Sequence, residues 1–247
     1  MLTILLSALL LTTFLPALAQ PTASNSAGQV LQGQQPTLVS FPSPDGGTVF
    51  GNLYGKGDRG LVLAHGGRFN KESWAPQAPV FAQAGFHVLA IDFRGYGKST
   101  GPGAGEPLSA PLYLDVLAAV RYLRKSGAKT VAVVGGSMGA GAGADATILG
   151  DPGEIERIVE LGGVAGNVSP EKMTVPKLFI VTRDDTSGSG PRLPDQLKAY
   201  AATPQPKQLI ILEGSAHAQF MFQSDLNERV MREILTFLNA RFPPRNK

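Results

Sequence analysis

From residue 37 onward, short apolar runs alternate with longer amphipathic stretches. Leu61–Ala64, His87–Ile91, Thr130–Val134, Ile158–Leu161, Lys177–Val181 and Gln208–Leu212 are compact and apolar, as expected of strands buried on both faces. Thr37–Phe41 and Thr48–Tyr54 flank Pro44-Asp45-Gly46-Gly47, a turn sequence that predicts a hairpin. Helical spacing places Tyr113, Val116, Leu117, Val120 and Leu123 on one face of a helix over 110–125. Further helices are expected over 71–84, from about 138 in a run of small residues, and near 193–202. A last helix is expected from Asp225, where Asp225 and Glu228 have capping-box spacing and Leu226, Val230, Ile234, Phe237 and Leu238 share a face. Strand–helix alternation of this kind predicts an α/β fold, an eight-stranded, mostly parallel sheet with helices on both faces and an N-terminal hairpin. Active sites in such sheets form at the carboxyl ends of the strands, so the loops after each strand are where chemistry is sought.

Composition narrows this picture. The chain has 247 residues, 43% hydrophobic and 17% charged, enough for one globular domain with a substantial core. Met1 to Ala19 reads as a signal peptide: Leu2 to Leu15 is an apolar run too short for a comfortable membrane span, and Ala17-Leu18-Ala19 has cleavage-site spacing. No Lys or Arg precedes that run. Residues 20–36 are uncharged and rich in Gln, Ser and Ala, a flexible leader, and residues 37–247 form the domain. An exported protein, periplasmic or secreted, is therefore expected, with no stable membrane partner after cleavage. The net charge of +3 is scattered, which argues against a nucleic-acid partner. The absence of Cys excludes disulfides, thiolate metal sites and a Cys nucleophile.

Four loops carry candidate chemistry. Gly135-Gly136-Ser137-Met138-Gly139 follows a β-branched strand and precedes a small-residue helix. This is the G-x-S-x-G pattern, in which glycines allow a sharp turn that pushes the Ser137 hydroxyl into the crevice as a nucleophile. His65-Gly66-Gly67-Arg68 follows an early strand and offers a backbone N–H for an oxyanion, Gly67 before Arg68, while Met138 offers the second donor. Asp184 and Asp185 follow the strand at Lys177–Val181; one of them is the relay acid, and the spacing from Pro176 favours Asp185. Among His65, His87 and His217, only His217 follows both a late strand and the acid, and so is the expected base. His65 is expected to brace its loop and His87 to pack in its strand.

With the order Ser137, Asp185, His217 in place, residues 37–242 resemble the α/β-hydrolase superfamily, a resemblance that also includes Asp92-Phe93-Arg94-Gly95-Tyr96-Gly97-Lys98-Ser99. The resemblance implies a Ser–His–Asp relay, an oxyanion hole, a small-molecule acyl substrate and no metal or organic cofactor. It implies that the Asp92–Ser99 turn is structural, with Asp, Arg and Ser bonded within the loop. A Ser rather than Asp or Cys at the nucleophile position points to acyl transfer: ester hydrolysis first, then peptide or acyl-peptide hydrolysis, then peroxide-dependent side activity. A non-catalytic binding module of the same fold is the alternative of another class. Many relatives carry a helical lid after the strand following the nucleophile helix; here Val164 to Val175 leaves no room for one, and a lidless crevice is expected.

Overall fold

A computed structural model describes residues 35–106, 109–163 and 168–242. The signal and nearly all of the leader expected from the sequence lie outside the described residues. Along the chain come β1 (Thr37–Pro42), β2 (Thr48–Tyr54), β3 (Arg59–Ala64), α1 (Ala78–Gln83), β4 (Phe86–Ile91), α2 (Tyr113–Lys125), β5 (Thr130–Gly136), α3 (Met138–Leu149) and β6 (Arg157–Leu161). Then follow β7 (Lys177–Thr182), β8 (Thr186–Ser187), β9 (Gly190–Pro191), α4 (Leu193–Ala202), β10 (Lys207–Leu212) and α5 (Asn227–Asn239).

Eight strands form one sheet in the order β1-β2-β4-β3-β5-β6-β7-β10. β1 and β2 pair antiparallel, as do β2 and β4; the other pairings are parallel. The chain lays β4 on one side of β3 and then crosses to β5 on the other, so the loops leaving β3 and β5 rise side by side with Ala64 in register with Gly135. That reversal of strand order opens a crevice at the carboxyl ends.

The strand sequences are apolar throughout because both faces are covered. Val62, Leu89, Val133 and Ile158 pack against α2 and α3, while Leu61, Leu63, Val88, Val134 and Leu178 pack under α1 and α5. α4 covers β7, where Phe179 and Tyr200 meet edge-on at 5.5 Å.

Three local expectations change. The helix expected over 71–84 divides into a 3-10 turn at Lys71–Trp74 and the short α1, because Pro76 and Pro79 lack the N–H donors a continuous helix needs there. The capping box at Asp225 does not form: α5 begins at Asn227, and the Oγ of Ser224 accepts the Leu226 N–H at 3.2 Å. The Asp92–Ser99 turn is only partly self-contained. Ser99 Oγ donates to the Asp92 carbonyl at 2.8 Å, but the Asp92 carboxylate takes Lys71 Nζ at 2.7 Å, and Arg94 reaches out of the loop altogether.

Arg94 is fully buried. Its Nη2 donates to Asp115 Oδ1 at 2.7 Å and to Ser43 Oγ at 3.1 Å, and its Nη1 donates to Asp45 Oδ2. One guanidinium thus joins the β1–β2 turn to α2, while its hydrogen bonds hold the Asp45 carboxyl below its ordinary range. Removing one partner of a buried pair strands the other charge. Arg94→Met is expected to lower unfolding free energy by about 3–5 kcal/mol in chemical denaturation. Arg94→Met combined with Asp115→Leu should recover much of that loss; a double variant no better than the single would count against the pairing.

Candidate active site

Ser137 sits between β5 and α3 with φ 50° and ψ −111°, a conformation that non-glycine residues rarely adopt. Its N–H donates to the Leu161 carbonyl at 2.9 Å, and its own carbonyl accepts the Gly141 N–H at 3.1 Å. The turn fits only because Gly135 and Gly139, two residues to either side, have no side chains. A Cβ on Gly135 would lie 2.4 Å from the Gly139 carbonyl oxygen, and one on Gly139 would lie 2.3 Å from that of Ala64.

The structure brings the three expected relay residues together. His217 Nε2 lies 2.8 Å from Ser137 Oγ, and His217 Nδ1 lies 2.6 Å from Asp185 Oδ2. A carboxylate only accepts, so Nδ1 carries the proton and Nε2 is left as acceptor for the Ser137 hydroxyl. Asp185, and not Asp184, meets His217; Asp185 is buried at 1% exposure, whereas Asp184 is exposed and its N–H donates to the Gly214 carbonyl. Thr182 Oγ1 donates to the Ala216 carbonyl at 3.0 Å, so the loops after β7 and β10 are laced together on both sides of the pair. Arg192 Nε lies 3.4 Å from the other Asp185 oxygen, an ion pair not foreseen in the sequence because the β8–β9 hairpin folds it back from seven residues downstream.

A second unforeseen requirement is Gly162, just after β6. It adopts φ +58°, and a Cβ there would lie 2.9 Å from His217 Nδ1 and 2.8 Å from the Ala218 nitrogen. The imidazole rests on bare backbone. The sequence signal was slight, one of two glycines closing a strand.

The loop after β3 is braced as expected. His65 is buried; its Nδ1 bonds the Gly66 carbonyl at 2.9 Å and its Nε2 accepts the Phe93 N–H at 3.3 Å. Burial pushes its pKa down, consistent with a neutral ring that donates at one nitrogen and accepts at the other. The Gly66 N–H is consumed by Gln219 Oε1 at 2.6 Å. Among the described residues, the N–H groups of Gly67, Arg68 and Met138 have no acceptor. Tyr96 Oη donates to the Gly67 carbonyl at 2.9 Å and fixes the next peptide. His87 packs within β4 as expected, and burial lowers its pKa.

Ser137 opens into a cavity of about 930 Å³. Ala110, Leu112, Met138 and Leu149 give it an apolar side; Ser187, Arg192 and Lys198, on the β8–β9 hairpin and α4, give it a polar one. The link from β6 to β7 holds only a 3-10 turn, Pro170–Lys172, among its described residues. Among the described residues no group of His, Cys, Asp or Glu is gathered to hold a metal ion.

Behind the cavity wall, Glu160 on β6 is fully buried, and neither carboxylate oxygen has a hydrogen-bond partner. Burial pushes its pKa up to about 8, with Lys177 opposing and Asp145 reinforcing the shift.

Residues 61–246 match the model of the alpha/beta hydrolase fold family. The chain belongs to that family. It is 39% identical over 75 residues to the bifunctional epoxide hydrolase 2 of Rattus norvegicus, covering 30% of this chain and 13% of that protein. It is 31% identical over 146 residues to a non-heme haloperoxidase of Rhodococcus erythropolis, covering 58% of this chain and 47% of that one. The chain thus matches less than half the length of either relative. In fold it is similar to an esterase from Pyrococcus furiosus, with TM-score 0.71 and 18% identity over 83% of this chain and 92% of that one.

Two outcomes follow from this geometry. Gly162→Ala should displace the His217 ring and lower kcat by about 10²-fold, with the fold retained by circular dichroism; unchanged kcat would mean that the ring has room to spare. The Glu160 carboxyl ionises at 4.5 in its ordinary state and near 8 when folded, so over that window the unfolded chain holds fewer protons and stability falls as pH rises. This contribution is fully present below pH 4.5 and lost through pH 8. Thermal melting across that window should show Glu160→Gln gaining on wild type as pH rises; parallel curves would contradict it.

Proposed function

We propose that the chain is a serine hydrolase of carboxylic esters working through an acyl-enzyme. The observation that carries this is the unbroken series Ser137 Oγ, His217, Asp185, with steps of 2.8 and 2.6 Å, facing the cavity. Ser137 Oγ attacks the ester carbonyl as His217 Nε2 takes its proton, and the carbonyl oxygen becomes an oxyanion held by the Gly67 and Met138 N–H groups. Asp185 steadies the imidazolium. Collapse breaks the bond to the alcohol, which leaves with the proton from His217. Water then repeats the sequence on the acyl-enzyme: His217 takes its proton, returns it to Ser137, and the acid is released.

The nature of the nucleophile separates this reading from epoxide opening, suggested by the name of the rat relative. Attack on an epoxide by Ser137 would form an ether, which has no carbonyl for the relay to hydrolyse, whereas a carboxylate nucleophile would form a cleavable ester. The Rhodococcus relative's name favours a secondary reading in which peroxide replaces water as acyl acceptor on the same intermediate.

Wild type should react with a fluorophosphonate probe and hydrolyse p-nitrophenyl butyrate, with no rate jump at the substrate's solubility limit. Ser137→Ala should abolish both reactions. Asp185→Asn should lower kcat by about 10³–10⁴-fold, while Asp184→Asn stays near wild type. A folded wild type that neither labels nor hydrolyses any member of an ester and aminoacyl-anilide panel would overturn the reading. Preference for anilides would move it to peptides.

A further inference from the structure

Gln219 follows His217 by two residues and is buried at 2% exposure. Its Oε1 accepts the Gly66 N–H at 2.6 Å, and its Nε2 donates to Ser73 Oγ at 2.6 Å. Ser73 Oγ in turn donates to the Asn70 carbonyl at 2.6 Å. This order fixes which way the amide faces. A backbone N–H only donates, so it needs the oxygen; a hydroxyl whose proton is spent on a carbonyl accepts, so it needs the nitrogen. A Cβ on Gly136 would lie 3.0 Å from the same Oε1, so the amide also lies against the residue preceding Ser137. The intervening Ala218 is buried and held at φ +51°, a left-handed conformation that accompanies the return of the chain toward the β3 loop.

One amide therefore touches the loop after β3, the end of β5 and the 3-10 turn at Lys71–Trp74, while anchored in the loop that carries His217. We propose that Gln219 is a positioning residue that holds the oxyanion-donating loop in register with the catalytic base. This rests on the ester-hydrolase reading. Gln219 touches no reacting atom; it acts through Gly66. With that N–H fixed, the adjoining peptide is fixed, and the free N–H of Gly67 keeps its direction. An oxyanion hole is effective because its donors are in place before charge develops. Without the amide, the buried Gly66 N–H loses its acceptor, and the loop turns to find another.

The test compares wild type with Gln219→Met, which keeps the bulk and removes both hydrogen bonds, and Gln219→Glu, whose carboxylate still accepts from Gly66. The substrate is p-nitrophenyl butyrate, and the second probe is butylboronic acid, which forms a tetrahedral adduct on the nucleophile. For Gln219→Met, kcat should fall by about 10- to 100-fold with KM little changed. The inhibition constant of the boronic acid should rise in parallel, and Gln219→Glu should recover most of both. A folded Gln219→Met with wild-type kcat and inhibition overturns the inference alone, as does a Gln219→Glu no better than Gln219→Met. Should Gln219→Met fail to fold, Gln219→Asn, a methylene too short to reach Gly66, replaces it with the same two outcomes. A wild type without esterase or labelling activity overturns the hydrolase reading and this inference with it.

Discussion

The structure depends on a close approach of backbone to backbone at one point in the sheet. The end of β3, the end of β5 and the first turn of α3 crowd together where Gly135 and Gly139 leave no space for even a methyl group. Only that contact lets α3 start directly from the strand, and a helix starting there forces Ser137 into positive φ with its hydroxyl turned outward. The strain is retained because the N–H and carbonyl of Ser137 are both bonded into the sheet and helix beside it.

Around this fixed point the other chemical groups arrive on separate loops, and their alignment is a matter of lacing. Backbone and hydroxyl bonds join the β7 and β10 loops from Arg183 to Leu212 and from Thr182 to Ala216. Gly162 supplies the flat seat under the His217 ring. His65 connects its own loop to Phe93, packing edge-on against Phe93 and Tyr96 at 5.1 and 4.6 Å. Three longer side chains add to this lacing, Tyr96 on the Gly67 carbonyl, Arg192 beside Asp185 and Gln219 on the Gly66 N–H.

Much of this was legible in the sequence because it is local. A strand buried on both faces is a continuous apolar run, and a nucleophile turn is a fixed pattern of glycines; the sheet and the Ser137 turn followed from those. Asp185 was favoured over Asp184 from spacing, and only Asp185 meets His217. What was hidden is what tertiary contact decides. Proline broke the helix expected at 71–84, and α5 begins two residues after Asp225, at Asn227, with no side-chain cap. Arg94 looked like part of its own turn, yet its partners Asp45 and Asp115 lie far along the chain in both directions. The roles of Gly162 and Gln219 have no spacing rule at all; each is defined by which atoms meet it from another loop.

The cavity has two sides of unlike construction. Its apolar side is partly α3, locked to the sheet by the glycine contacts that also hold Ser137. Its polar side is a two-residue-per-strand hairpin and α4, chain inserted between Asp185 and β10 and joined to Asp185 through Arg192. Within 186–199, Arg192 is tied to Asp185 and Gln196 is buried, so the room for change lies in the exposed residues around them. Substitutions among those exposed residues would reshape one wall of the chamber while the other, which is also the foundation of the Ser137 turn, stays in place.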